Sequence, residues 1–80
     1  MITTQQQFDH KLRQVIVEDV NRWIEDGQDP HFITWFGSFG ESGFDYIEEM
    51  IGDVDYDQPI DTDLTHRVSQ IGREVFNYRP

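Results

Sequence analysis

Apolar residues recur at steps of three and four along the first third of the chain: Phe8, Leu12, Val15, Ile16, Val20, Trp23 and Ile24. That is the period of an amphipathic helix, which gathers such positions into one core-facing stripe. Thr4 followed by Gln7 reads as a capping box at its start. Gly27 suits its end, because glycine takes the left-handed conformation after a helix without strain. A second stripe, Leu64, Val68, Ile71 and Val75, follows a 4-3-4 spacing and predicts a C-terminal helix capped by Asp61 or Thr62. Gly72 lies beside this stripe and permits close approach of another helix, at about 1 kcal/mol of helix propensity relative to Ala.

The pattern between these helices is more broken. Asp29-Pro30 resembles an N-cap followed by proline at the first helical position, predicting a short helix through Phe36. The same stretch, residues 31–36, is rich in aromatic and β-branched side chains and also fits a minor strand. Gly37, Gly40 and Gly43 read as breaks. Ser42 with Asp45 then predicts the cap of a third helix, with Phe44, Ile47, Met50 and Ile51 on its apolar side and Gly52 closing it. Residues 53–59 read as a loop or a short extended piece. The expected fold is an all-α compact bundle of three to four helices, long at both ends and short between. It forms one acidic domain over residues 1–80.

Composition sharpens this picture. At 80 residues the chain buries only about 60% of its unfolded surface, so its two Trp, three Tyr and six Phe must make the core efficient. There is no Cys, which excludes disulfides and thiolate zinc sites and fits a reducing, cytoplasmic setting. No secretory-signal pattern and no apolar run of about 18 residues is present, so neither export nor membrane spanning is expected.

Charge changes the reading most. The chain carries 16 acids against 6 bases, a formal net charge of −10. From Trp23 to His66 there are twelve acids and no Lys or Arg, whereas the segments on either side are balanced or slightly basic. Solubility alone does not require one sign to be segregated, since interspersed charges avoid self-repulsion. The block also holds many aromatic and aliphatic residues, so it is read as ordered rather than as a disordered acidic linker. Direct binding to nucleic acid or an anionic membrane is disfavoured; binding to a Lys- and Arg-rich protein surface is favoured.

Catalytic and metal chemistry find little support. Asp53, Asp55, Asp57 and Asp61 occupy positions 1, 3, 5 and 9 of a calcium loop, but Gln58 stands where glycine is needed and Leu64 where the bidentate Glu is needed. His10, His31 and His66 share no i, i+4 relation, and Gly37-Ser38-Phe39-Gly40 is neither a nucleophile elbow nor a phosphate loop. No enzyme activity, cofactor or metal is expected.

The candidate partner-binding residues are therefore Glu41, Asp45, Glu48, Glu49, Asp53, Asp55, Asp57, Asp61 and Asp63, with Tyr46 and Tyr56 as aromatic hot spots among them. An extended Asp53-Asp55-Asp57 run would space carboxylates about 6.6 Å apart, near the ~6.8 Å of two nucleotides along a strand. In size, charge and lack of catalytic motifs the chain resembles the phage-encoded acidic inhibitors, the anti-restriction and anti-CRISPR proteins. That resemblance, one of composition, implies a blocker of a nucleic-acid-binding protein. Two other readings are an immunity-type nuclease inhibitor and an assembly module, including a homodimer, that docks through exposed Trp35, Phe36 and Phe39.

Overall fold

The computed structural model describes residues 1–78. Four helices follow in order: α1 (Gln5–Glu25), α2 (Phe32–Gly37), α3 (Glu41–Ile51) and α4 (Leu64–Asn77). The all-α bundle expected from the periodicities is the observed architecture. α1 is its spine and packs against α4 and α3, while α2 packs on α4. Among the described residues the β content is one isolated parallel bridge between Ile2 and Val54. No helix of the described chain is long and apolar enough to cross a membrane.

α1 forms where the stripe places it. Thr4 accepts from the Gln7 amide and Gln7 reaches back to the Thr4 amide, completing the capping box. Its far end is closed by two bonds, Gly27 N–H to the Ile24 carbonyl at 3.0 Å and Gln28 N–H to the Trp23 carbonyl at 3.2 Å. This is a Schellman motif, and it needs Gly27 at φ 80°. Phe8, Leu12, Val15, Ile16 and Val20 are buried along its inner face.

The segment 31–36 is helix rather than strand. A six-residue helix has too few internal bonds to stand alone, so its conformation is imposed by what it packs on. Trp35 supplies that packing. It is fully buried, its indole Nε1 donates to Asp19 of α1 at 2.9 Å, and its six-membered ring lies over Gly72 of α4. Phe39 meets it edge-on at 4.8 Å, and Phe32 and Phe76 lie at 6.1 and 5.6 Å. Phe36 and Phe39 are partly buried against the same core. Trp35, Phe36 and Phe39 thus make the core and do not form the exposed docking patch anticipated for an assembly module. Burying a large aromatic outweighs displaying it in a domain this small.

Three local signals act differently from expectation. Asp29 does not cap α2, whose N-cap is His31 without a side-chain bond. The Asp29 carboxylate instead binds His31 Nδ1 and accepts from the Thr34 hydroxyl at 2.8 Å. α3 begins at Glu41 behind Gly40, not at a Ser42 cap, and runs through Gly43, where the Phe39 ring leaves no space for a Cβ. α4 is capped by Asp63, which accepts from the His66 amide; Asp61 makes the preceding turn by accepting from the Asp63 amide.

A methyl at Gly72 would sit 2.6 Å from Trp35 Cζ3, in a ring held by Asp19 and its aromatic neighbours. Gly72→Ala is expected to lower stability by about 1–3 kcal/mol despite its better helix propensity, read as a shifted urea midpoint. His31 first, then Thr34, hold the Asp29 carboxyl below its ordinary range. A depressed folded pKa contributes stability that is complete above the unfolded value near 3.9 and is lost as pH falls through the folded one. Amide protection factors across Phe32–Gly37 should therefore drop below about pH 4, and Asp29→Asn should abolish that pH dependence.

Candidate functional site

Among the described residues there are four arginines, each engaged within the fold. Arg13 pairs with Glu74 and Arg67 with Asp9, both joining α1 to α4. Arg73 lies 4.7 Å over the Phe32 ring, joining α4 to α2. Arg22 sits against the Tyr46 hydroxyl of α3, which with the nearby Asp19 and Glu18 raises its already high pKa and keeps it a fixed cation. Among the described residues there are three ion pairs, the third being the local His31–Asp29 contact. Among the described residues none of the carboxylates from Glu41 to Asp63 is in an ion pair.

These carboxylates divide into two sets. Asp55, Asp61 and Asp63 are used by the backbone. Asp55 accepts from the Asp57 amide at 3.1 Å, and Asp61 and Asp63 hold the approach to α4. The second set, Glu41, Asp45, Glu48, Glu49, Asp53 and Asp57, points to solvent without such bonds.

The spacing expected of an extended Asp53-Asp55-Asp57 row does not occur. The chain is extended only around Val54, where the Ile2 amide donates to the Asp53 carbonyl at 2.9 Å and the Asp55 amide to the Ile2 carbonyl at 2.8 Å. It then turns, with Gln58 N–H bonding the Asp55 carbonyl. The Asp55 side chain stabilises that turn by folding back onto the Asp57 amide, as Asp does in turns generally. The three carboxylates therefore do not share one line.

What the fold does assemble is a groove between α3 and the segment after it, lined by Asp45, Glu48, Glu49, Asp53 and Tyr56 around Gly52 and Val54. α3 brings Asp45, Glu48 and Glu49 together through i, i+3 and i, i+4 spacing. The Ile2–Val54 bridge holds Asp53 and Tyr56 opposite them. The Tyr56 ring is 66% exposed. Tyr46 is not part of this groove; it is 38% exposed and turned toward Arg22 of α1. Glu41 lies in the first turn of α3, and Asp57 in the turn beyond Tyr56.

Adjoining the groove is a feature no sequence pattern marked. Glu48, Gly52, Val54 and Tyr56 also line a separate cavity of about 130 Å³ together with Phe8, Ile51, Thr62 and Leu64. The signal available was Val54 alone, an aliphatic residue between two aspartates. Its partners come from α1, α3 and α4, so the cavity exists only in three dimensions. Among the described residues no three His, Asp or Glu side chains converge to hold a metal ion.

Like charges three and four residues apart destabilise a helix by roughly 0.2–0.5 kcal/mol each, so α3 carries repulsion that no ion pair among the described residues relieves. Glu49→Gln should raise thermal stability by a few tenths of a kcal/mol at low salt, and added NaCl should shrink the gain. Glu74→Gln, which removes a paired carboxylate, should bring no such gain. No known family model, curated protein or solved structure matches this chain, so the reading of the groove rests on its own residues.

Proposed function

We propose that the chain is a small acidic protein-binding inhibitor. In this reading the α3 groove docks on a Lys- and Arg-rich surface and blocks a nucleic-acid-binding protein or nuclease complex. The observation that carries the proposal is the unpaired state of Asp45, Glu48, Glu49 and Asp53 around one groove, while Arg13, Arg22, Arg67 and Arg73 are engaged on other faces. A carboxylate already paired within the fold would have to give up its partner to bind another. Those in the groove form charge-assisted bonds with an incoming guanidinium at no such cost.

The mimicry of a nucleic-acid backbone shifts from the loop to the helix. Four residues of α-helix rise about 6 Å, so Asp45 and Glu49 are offset along α3 by close to the ~6.8 Å rise of two nucleotides. Electrostatic steering would accelerate encounter with a basic channel, and salt would slow it. Tyr56 beside the carboxylates offers a ring face for a guanidinium to stack on.

The test begins with isolation of the host protein that the chain binds. The complex should compete with DNA or RNA for that protein, and its affinity should fall by about tenfold or more from low to physiological salt. Charge reversal by Glu48→Lys with Asp53→Lys should abolish competition, whereas Glu25→Lys on the end of α1 should have little effect. Affinity indifferent to both salt and groove reversal would sink the proposal.

A further inference from the structure

The cavity adjoining the acidic groove is chemically unlike the groove itself. Its apolar lining is Phe8, Ile51, Val54 and Leu64, of which Phe8 and Ile51 are almost wholly buried, with Thr62 beside them, and its volume is about 130 Å³. Glu48 and Tyr56 stand at both openings, so anything held in the groove lies beside the cavity mouth. Pure charge mimicry has no use for such a hole: a phosphate-like surface needs carboxylates and nothing apolar behind them.

We infer that this cavity is an anchor pocket for one branched aliphatic side chain, leucine or isoleucine, carried next to arginine or lysine on the partner's docking segment. The inference rests on the acidic-groove reading and adds to it the identity of the neighbouring residue. Charge complementarity fixes the flanks: Glu48 on the rim, with Asp45, Glu49 and Asp53 beyond it, selects cationic residues on either side of the inserted group. Volume and lining select the inserted group. An apolar cavity of roughly 150 Å³ is the size that accepts a benzene ring, so the smaller space here suits a four-carbon aliphatic side chain better than a phenyl or indole ring. The polar groups of the lining, Glu48, Thr62 and Tyr56, leave the side chains of Phe8, Ile51, Val54 and Leu64 as the apolar surface on which the inserted methyls would rest.

An anchor of this kind gives selectivity that charge alone lacks. Many proteins present basic surfaces, but few present an aliphatic side chain at the right place within one. Burying one leucine from water corresponds to on the order of ten- to hundredfold in affinity. Such a contact, sealed by a polar rim, has the anatomy of an interface hot spot.

Two synthetic peptides test it directly on the full chain: acetyl-Arg-Leu-Arg-Arg-amide and its Arg-Ala-Arg-Arg counterpart, titrated at low salt by NMR and calorimetry. The leucine peptide should bind about tenfold or more tightly. Its leucine methyls should show nuclear Overhauser contacts to the methyls of Ile51, Val54 and Leu64. Val54→Phe, which fills the cavity, should reduce the leucine peptide to the affinity of the alanine peptide; thermal unfolding shows whether that variant is folded, and the wild-type comparison stands without it. Equal affinity of wild type for both peptides, or leucine contacts elsewhere, overturns the anchor pocket and leaves the acidic groove intact. If neither peptide binds, the groove reading fails and the anchor with it.

Discussion

Trp35 joins three helices through two different contacts, an indole N–H donated to Asp19 on α1 and a ring laid against Gly72 on α4. The rest of the domain depends on that arrangement. α2 is too short to persist as a helix by itself, and the loops on either side of it have no regular structure to hold them. Placing an indole, the largest of the fully buried side chains, at zero exposure with its one polar atom satisfied by a carboxylate gives α2 a fixed position and orientation. Phe32, Phe36, Phe39, Phe44 and Phe76 then pack around it, and Phe39 in turn sets where α3 can begin through its contact with Gly43. The acidic groove is therefore supported, two packing steps away, by an indole ring.

Electrostatics complete the division of labour between faces. Arg13 and Arg67 stitch α1 to α4, Arg73 stitches α4 to α2 and Arg22 meets Tyr46 of α3, so that among the described residues no cation pairs with the carboxylates of α3 or of the segment after it. Lys11 borders the neighbouring groove near Asp53 without pairing with it. Net charge alone does not predict this. A chain with the same composition but with Arg22 directed toward Glu49 would present a partly neutralised surface.

The long helices were legible because their stripes are regular and their caps are spelled out: Thr4 with Gln7, Gly27 in its left-handed turn, and the 4-3-4 spacing of α4. The middle of the chain was less so. Residues 31–36 carry β-branched and aromatic side chains whose local preference is extended, and only the long-range contacts of Trp35 override it. Gly43 read as a break because sequence shows glycine's backbone freedom but not the Phe39 ring that requires its missing side chain. Among the candidate site residues, proximity along α3 correctly grouped Asp45, Glu48 and Glu49. The loop aspartates were sorted by hydrogen bonds to backbone amides that alternation could not foretell, leaving Asp53 in the groove and engaging Asp55, Asp61 and Asp63 with the local backbone. Tyr56 joined the groove and Tyr46 left it for Arg22.

The Ile2–Val54 bridge and the paired bonds between Gln5 and Asp61 fasten the same stretch of chain at two points. Both close loops of more than fifty residues, a separation of the same order as the Arg13–Glu74 and Arg67–Asp9 pairs that join α1 to α4. The segment bearing Asp53 and Tyr56 has no regular structure of its own and is held in place by the helices at its two ends and by these point contacts. Because those contacts come from α1 and from the approach to α4, the placement of Asp53 and Tyr56 opposite the α3 carboxylates is tied to the integrity of the whole domain.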